Sequence, residues 1–368
     1  MDPIPFLDLT PQNEPLQDEL KEAAARVIES GVFILGPEVE AFEEAWADYC
    51  GTEHAVALNS GTSALHLGLL ALDAGPGDEV ITVAHTFIAT VEAILYTGAR
   101  PVYADIHPET LVMDVRTVEG LITERTRAIL PVHLYGNPVD MTALLEVADR
   151  HGVPLLEDAA QAHGAAHRGR KAGSWGRAGT FSFYPTKNLG ALGEGGILTT
   201  DDEEVAESVR SLRNHGQTGA YYHTAVGYNY RMTAFQGAML RTKLTRLETW
   251  NGQRRELAAR YDELCDEAGI ERMQVREGDE CVYHLYPVLV PDRDRVQQEL
   301  EEKGIPTRVH YPTPLFSQPA AASAAAVGRD DLAVTRSAAA RVLSLPFYPG
   351  MGTEKAEEVV TTLSALVD

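Results

Sequence analysis

Short apolar segments alternate with amphipathic helical segments from about residue 38 to residue 250, and this alternation restricts the possible folds more than any other feature. It is typical of βα units around a mostly parallel sheet. The apolar segments are rich in Val, Ile and Leu without polar alternation, which indicates strands buried on both faces. The predicted strands are Ala55–Leu58, Glu79–Val83, Pro101–Ala104, Ala128–Val132 and Val153–Glu157, and the predicted crossover helices are Ser63–Leu72 and Met141–His151.

A chain of 368 residues exceeds the usual size of one domain, so we predict two. A long amphipathic helix is predicted at Leu244–Cys265, and we place the boundary inside it. The expected division is a large α/β domain with an N-terminal arm at residues 1–250 and a smaller α+β domain at residues 251–368. The second domain is predicted to contain a strand at Val282–Val290 and helices at Arg293–Lys303, Leu332–Leu343 and Thr353–Val367.

The chain is acidic, with 31 Lys+Arg against 54 Asp+Glu and a net charge of −23. Such a charge repels nucleic acid and anionic membranes, so neither is an expected partner. No segment approaches the roughly 20 apolar residues of a membrane span, and the first residues lack the pattern of a signal peptide. Cys50, Cys265 and Cys281 share no Cys-x-x-Cys spacing, so we expect buried thiols in a reducing cytoplasm.

The segment Asn59–Ala64 lies between a predicted strand and a predicted helix. Backbone N–H groups, the helix dipole and the hydroxyls of Thr62 and Ser63 would converge there on one point, and a phosphate would bind well. An ordinary helix cap explains the same residues without any ligand.

Two carboxylates, Glu157 and Asp158, end the apolar strand at Val153–Glu157. Ligands of open α/β sheets bind at the carboxyl ends of strands, so Asp158 lies where a protonated ring nitrogen could be held. Capping is again the alternative. His163 and His167 have the spacing of a metal pair, but Gly164 and the lack of a nearby third ligand disfavour a metal site.

Lys187 lies in the aromatic and glycine-rich segment Phe181–Gly190, which also contains Ser182 and Tyr184. Desolvation in such a setting lowers the pKa of an amine and makes it a better nucleophile for a carbonyl group. The following glycines do not have the spacing of a dinucleotide-binding fingerprint. A phosphate-binding turn, a strand-end Asp and a lysine, in this order, are the three parts of a site for pyridoxal phosphate.

On these motifs the chain resembles the DegT/DnrJ/EryC1/StrS sugar aminotransferases, a family with the fold-type I architecture of pyridoxal-phosphate enzymes. Further motifs of the resemblance occur at Gly36–Glu43, Gly77–Val80, Thr86–Thr90, Pro131–Gly136, Leu212–Gly216 and Tyr228–Met232. It implies a mostly parallel seven-stranded sheet in an α/β/α sandwich, followed by the smaller domain.

The resemblance also implies roles around the cofactor ring. Lys187 would form the Schiff base with the cofactor and later shuttle the proton, and Asp158 would pair with the pyridinium nitrogen. Phe87 would stack on the ring, and Gln161 would lie near its phenolic oxygen.

Gly61, Thr62, Ser63 and Ser182 are the residues that the resemblance assigns to the cofactor phosphate. Asn229 would reach this phosphate from the partner subunit of a homodimer, so the resemblance implies a shared active site.

By the same resemblance, the reaction takes the amino group from L-glutamate and gives it to a nucleotide-linked keto sugar. The residues around Gln161 resemble those of enzymes that aminate C3 of a dTDP-3-keto-6-deoxyhexose, and amination at C4 is the alternative. Expected substrate contacts are His163, Tyr184, His215, His310 and Tyr311, although each histidine could instead be structural.

Two rival functions stay open at this point. An amino-acid aminotransferase would need an arginine for the substrate α-carboxylate, and Arg308 could supply it. A cofactor-binding regulator is the other rival, which the intact Lys187 and the acidic charge disfavour.

Overall fold

The computed structural model describes residues 4–322 and 332–367. The helices are α1 Thr10–Asn13, α2 Gln17–Ser30, α3 Pro37–Cys50, α4 Gly61–Ala71, α5 Ile88–Thr97, α6 Met141–His151, α7 Glu203–Leu212, α8 Ala234–Leu244, α9 Leu247–Glu267, α10 Arg293–Glu302, α11 Pro319–Ala322, α12 Ala333–Arg341 and α13 Thr353–Val367. The strands are β1 His54–Leu58, β2 Glu79–Val83, β3 Arg100–Ala104, β4 Thr126–Ile129, β5 Leu156–Asp158, β6 Ala166–His167, β7 Arg170–Lys171, β8 Ala178–Ser182, β9 Gly196–Thr200, β10 Gln217–Gly219, β11 Tyr222–His223, β12 Glu271–Arg272, β13 Asp279–Glu280, β14 Tyr286–Leu289 and β15 Val342–Leu345.

The main sheet has seven strands in the order β3-β2-β4-β5-β8-β9-β1. Two ladders, β3-β2-β4 and β1-β9-β8-β5, are joined by parallel bridges from Ile129 to Leu155 and from Val132 to Asp158. Strand β9 is antiparallel to both of its neighbours, and the other pairs are parallel. The predicted mostly parallel sheet is confirmed.

Side chains of the strands pack into two hydrophobic cores, one on each face of this sheet. In β1, Val56 and Leu58 pack with α4 and α7, whereas Ala55 and Ala57 pack with α3 and α8. Both sets are fully or nearly fully buried, as the run of apolar residues predicted. The result is the predicted α/β/α sandwich.

In the main sheet, the carboxyl ends of two strands differ from the prediction. Strand β4 ends at Ile129 instead of Val132, and β5 runs one residue further than predicted, to Asp158. Pro131 and Pro154 each lack a donor, and their carbonyls accept from the amides of Asp158 and Ile129. The hydrogen-bond ladder between these strands is therefore interrupted. The bridge from Val132 to Asp158 nevertheless keeps Asp158 at the carboxyl end of the sheet.

The C-terminal part is built on the antiparallel sheet β12-β14-β15, with α9, α10 and α13 packed around it. Stacked rings of Tyr261 and Tyr286, 4.7 Å apart, form the centre of its core with Phe347. Helix α9 runs unbroken through residue 250, and the domain boundary there stays a prediction. Among the described residues, no helix combines the length and apolarity needed to cross a membrane.

Candidate active site

A cavity of about 600 Å³ lies at the strand ends of the main sheet, against the C-terminal part of the chain. The loops after β1, β2, β4, β5 and β8 all contribute to its wall. Its lining consists of Ser60, Gly61, Thr62, Leu65, Thr86, Phe87, Ala89, Thr90, Val132, Leu134, Asp158, Ala160, Gln161, Ser182, Tyr184, Thr186, Lys187, Glu194, His284, Leu285, His310 and Tyr311.

Asp158 ends β5 and is 4% exposed. Its Oδ2 accepts a hydrogen bond of 2.8 Å from the hydroxyl of Thr90, and its Oδ1 accepts one of 3.2 Å from the amide of Ala160. Burial raises the pKa of this carboxyl, and the hydrogen bond from Thr90 and the charge of Lys187 oppose the rise. The carboxylate thus faces the cavity, held by neutral donors.

Lys187 lies in the loop after β8, where its amide donates to the carbonyl of Tyr184 at 2.8 Å. Gly190 packs on the same loop, and a Cβ there would lie 2.1 Å from the carbonyl oxygen of Pro185. Burial lowers the pKa of the Lys187 amine to about 8, and the negative charge of Asp158 acts in the opposite direction. A substantial fraction of this amine is therefore neutral near pH 8.

The N-terminus of α4 forms one end of the cavity. Ser60 caps the helix, because its Oγ accepts from the amide of Ser63 at 3.1 Å. The amides of Gly61 and Thr62, in the first turn, have no partner within the helix. A Cβ on Gly61 would lie 2.6 Å from the Cβ of Ser182, so only glycine allows the end of β8 to approach this turn.

Gln161 is fixed by the loop after β4. Its Oε1 accepts a hydrogen bond of 2.6 Å from the amide of Tyr135, a residue with a φ of 62°. The amide nitrogen of Gln161 then points to the other side, where it lies 3.4 Å from the hydroxyl of Tyr311. The Tyr135 hydroxyl donates to the carbonyl of His310 and lies 2.8 Å from His85 Nε2.

Phe87, Tyr184, His310 and Tyr311 also border the cavity, and the roles predicted for them stay predictions. The Phe87 ring is 53% exposed and lies 5.8 Å from the ring of Tyr311. Burial lowers the pKa of His310 to about 4, and its Nδ1 lies 2.9 Å from the hydroxyl of Ser344. His310 and Tyr311 bring the C-terminal part of the chain to the strand ends.

Comparison with known proteins agrees with this geometry. The sequence matches the model of the DegT/DnrJ/EryC1/StrS aminotransferase family over residues 15–364. The chain belongs to this family.

Two matches come from Streptomyces venezuelae, one a sequence and the other a solved structure. A dTDP-3-amino-3,4,6-trideoxy-alpha-D-glucose transaminase is 47% identical over 358 residues, which are 97% of this chain and 94% of the relative. The crystal structure of DesV in complex with a ketimine intermediate has a TM-score of 0.96 and 45% identity, covering 100% of this chain and 99% of that one.

NtdA from Bacillus subtilis, solved with bound cofactor PMP, has a TM-score of 0.91 and 32% identity. The match covers 99% of this chain and 86% of that chain.

The family-based assignment of His163 to the substrate needs correction. This imidazole is fully buried between the rings of Trp46, Phe181 and Phe183, and its Nε2 donates to the carbonyl of Ser182 at 2.8 Å. Burial lowers its pKa to about 3. His163 therefore packs in the core behind the cavity and does not border it.

Three further predicted residues do not line the cavity. The Ser63 hydroxyl donates to Asn59 Oδ1 at 2.6 Å, so this side chain serves the turn itself. His215 is exposed, and its carbonyl accepts from His223 Nδ1 at 2.9 Å. Asn229 is exposed as well, and the role predicted for it in a second subunit stays a prediction.

The histidine pair with metal-like spacing also separates in the structure. His167 lies in β6, with its Nδ1 2.7 Å from Asp279 Oδ1 and its Nε2 2.9 Å from the hydroxyl of Thr142. No group of three His, Cys, Asp or Glu side chains able to hold a metal occurs within residues 4–322 and 332–367. Cys50, Cys265 and Cys281 are free and buried, as predicted.

The sequence analysis did not identify two residues that build the site. Thr90 supports Asp158 from helix α5, and His284 enters the cavity wall from the segment before β14. The four-residue spacing of Thr86, just before α5, and Thr90, in its first turn, could have indicated the first. His284 lies in a predicted strand, and no sequence pattern distinguishes it.

Proposed function

We propose that this chain is a pyridoxal-phosphate-dependent aminotransferase that transfers the amino group of L-glutamate to the C3 carbonyl of a dTDP-linked 3-keto-6-deoxyhexose. The observation that carries the proposal is the arrangement of Lys187, Asp158 and the N-terminus of α4 around one cavity. The name of the 47% identical relative supports the sugar and the C3 position.

The residues present fit the cofactor. The unpaired amides of Gly61 and Thr62, together with Ser182, would hold the phosphate, because a helix N-terminus favours an anion. Asp158 is a buried carboxylate supported by neutral donors, and a protonated ring nitrogen would supply the positive partner. Phe87 would cover the ring, and the amide nitrogen of Gln161 would donate to the phenolic oxygen.

When bound, the cofactor supplies an aldehyde that takes up the amino group and a ring that accepts electrons from the substrate carbon. Lys187 supplies the proton transfers: its neutral Nζ can take a proton from one carbon and return it to another. A pKa of about 8 suits this task, because both protonation states are populated near neutral pH. Asp158 would hold the proton on the ring nitrogen and so preserve the electron demand of the ring.

Residues of the C-terminal part would contact the sugar nucleotide. From that part His310 and Tyr311 border the cavity with an imidazole and a phenol, and Tyr184, in the loop after β8, offers a second phenol. Amination at C4 is the alternative within this family. His215 would take part only from a second subunit, because it does not line the cavity of its own chain.

We further propose a homodimer in which Asn229 completes the partner's phosphate site. Asn229 is exposed, and its Oδ1 is oriented by Arg231, whose Nε and Nη2 donate to it at 3.0 and 2.9 Å. Phe87, which borders the cavity, and Tyr96, in α5, are 53% and 56% exposed, as an interface would require. Light scattering should give twice the chain mass. The free cysteines fit a cytoplasmic enzyme.

The test of the function runs the reaction in reverse. Purified protein is supplied with pyridoxal phosphate, 2-oxoglutarate and a panel of 3-amino and 4-amino dTDP-hexoses, and the products are read by mass spectrometry. We expect turnover of 3-amino sugars with formation of L-glutamate. Turnover of 4-amino sugars alone would move the keto position to C4.

The two rival functions make different predictions. A regulator would bind the cofactor without any absorbance change on addition of L-glutamate, whereas an aminotransferase loses the absorbance of the aldehyde form. An amino-acid aminotransferase needs an arginine in the cavity, but Arg308 is exposed and donates from its Nη1 to the carbonyl of Thr307. The position of Arg308 therefore favours the sugar substrate.

A further inference from the structure

A fully buried arginine lies behind the cavity wall without a counter-charge. Arg254, in helix α9, is 0% exposed, and its Nη1 donates to the carbonyl oxygens of Tyr283 at 3.1 Å and His284 at 3.3 Å. Within residues 4–322 and 332–367 this guanidinium forms no ion pair. Buried charges are normally paired, because the loss of hydration is costly, so an unpaired one requires an explanation.

The missing negative charge has to come from the cavity side. Burial lowers the pKa of Arg254 to about 9, so the guanidinium stays charged near neutral pH. A carboxylate of a second subunit cannot reach a side chain that is fully buried in its own chain. The nearby imidazoles of His163 and His284 are neutral, because burial lowers their pKa and the charges of Lys187 and Arg254 lower it further. His284 Nδ1 lies 3.2 Å from Asn188 Oδ1, which is uncharged as well.

Arg254 contacts the cavity wall through two peptide units. His284 and Leu285 line the cavity, and Arg254 holds the carbonyls of the peptides before and after His284. A trans peptide directs its N–H opposite to its carbonyl, so the N–H of Leu285 points away from Arg254. The amide of His284 donates to the carbonyl of Tyr135, whereas the amide of Leu285 has no acceptor in the described part of the chain. The positive charge therefore lies behind an unpaired peptide donor of the wall.

The cavity itself offers little attraction to an anion. Among the described residues that line it, the charged side chains are two carboxylates, Asp158 and Glu194, and one amine, Lys187. Both substrates of the proposed reaction are anions, since L-glutamate carries two carboxylates and the sugar nucleotide carries a diphosphate. A further positive charge behind the wall would favour their binding.

We propose that an anionic substrate group, with a carboxylate or phosphate oxygen, binds against His284 and Leu285 and supplies the negative charge that Arg254 lacks. The N–H of Leu285 donates to this oxygen. Arg254 is a positioning residue, which holds both peptides and polarises them from behind, in a dry surrounding where its charge is weakly screened. The inference rests on the proposed function, because that function supplies the two candidate anions.

The test measures ligand binding to the protein loaded with pyridoxamine phosphate, by isothermal titration calorimetry. Glutarate and dTDP represent the two anions, and glutaramide and thymidine are their uncharged counterparts. Arg254→Gln removes the charge but keeps an amide donor for the carbonyls. Arg255→Gln is the matched control, because it removes the same charge from the next residue of α9, which is half-buried and does not line the cavity. None of the four ligands can accept an amino group, so the result does not depend on whether the proposed transamination occurs.

Arg254→Gln should weaken the binding of glutarate or of dTDP roughly tenfold and leave both neutral ligands within about twofold of the wild type. The anion that is affected identifies the source of the oxygen. Arg254→Lys, which keeps a charge, should keep the preference for that anion in slightly acidic buffer, and Arg255→Gln should bind all four ligands like the wild type. Unchanged affinity for both anions in Arg254→Gln, or an equal loss for an anion and its neutral counterpart, overturns the proposal. If Arg254→Gln does not fold, Arg254→Met, which has no charge and fills more of the space, is held to the same outcomes.

Discussion

Replacement of Lys187 by methionine should stabilise the cofactor-free protein. The folded state lowers the pKa of this amine from its ordinary value near 10.5 to about 8, so the folded protein binds the proton less tightly than the unfolded chain does. The resulting cost is present in full below pH 8 and disappears as the pH rises towards 10.5, where the unfolded chain also loses the proton. Methionine has similar length and no charge, so it removes this cost.

The pKa difference sets an upper limit on how much Lys187→Met raises the free energy of unfolding. This limit is about 3.4 kcal/mol at low pH, about 3.3 kcal/mol at pH 7 and about 0.8 kcal/mol at pH 10. Water in the cavity screens part of it, because the Lys187 side chain is partly exposed there. The entropy of unfolding of a chain of this length is about 0.8 kcal/mol/K. Differential scanning calorimetry should therefore show a melting temperature higher by up to about 4 °C at pH 7 and by about 1 °C at pH 10.

Lys243→Met is the matched control. Lys243 is 4% exposed, and burial lowers its pKa to about 8 as well. Its Nζ, however, donates to the carbonyl of Gly190 at 2.6 Å, and removal leaves that buried oxygen unpaired at a cost of about 1–3 kcal/mol. Lys243→Met should therefore raise the melting temperature less than Lys187→Met does, or lower it. The reasoning fails if Lys187→Met melts no higher than the wild type at pH 7, or if the difference does not shrink by pH 10.

Three further substitutions test the cavity wall and a residue that supports it from behind. Asp158→Asn removes the charge opposite the ring nitrogen and should weaken pyridoxal-phosphate binding at least about tenfold in a fluorescence titration; unchanged affinity would contradict the role given to the carboxylate. Gly61→Ala places a Cβ 2.6 Å from that of Ser182 and should lower cofactor occupancy, read from absorbance, while circular dichroism stays constant. Tyr135→Phe leaves the His310 carbonyl without its hydroxyl donor, and we expect a melting temperature lower by about 1–4 °C; an equal value refutes this.

Elements with local end signals were predictable from the sequence. Strand β2 and helices α6 and α13 have the predicted ends. In α6 the side chain of Asp140 accepts from the amide of Ala143, and Gly152 ends the helix with a φ of 64°. Such caps lie within a few residues of each end, so one sequence is sufficient to find them.

Elements whose hydrogen bonds go to residues distant in the sequence were harder to predict. The predicted strand Val282–Val290 begins as a strand only at Tyr286. The amides of Val282 and His284 donate to the carbonyls of Gly136 and Tyr135 instead of to a ladder partner. This long-range pairing breaks the strand and brings His284 to the cavity, and no local pattern encodes it.

The same distinction separates the predicted from the missed site residues. Asp158 ends a strand, and Lys187 and Gly61 each follow one, and the geometry of an α/β sheet brings such positions to one edge. His163 is only five residues beyond Asp158, yet it packs among Trp46 and Phe183 in the core. Its direction depends on how the turn packs, which residue type and spacing do not specify.

The chemistry of the cavity depends on two buried ionisable groups, Lys187 and Asp158. The charged form of each is unfavourable without the other. Burial lowers the pKa of Lys187 and raises that of Asp158, and the attraction between the two charges partly offsets both shifts. Replacing either residue therefore changes the protonation of the other, and single substitutions will not be additive. Thr90 and Asn188, which fix the orientation of groups on either side of this pair, carry no charge and can support it without shifting the balance.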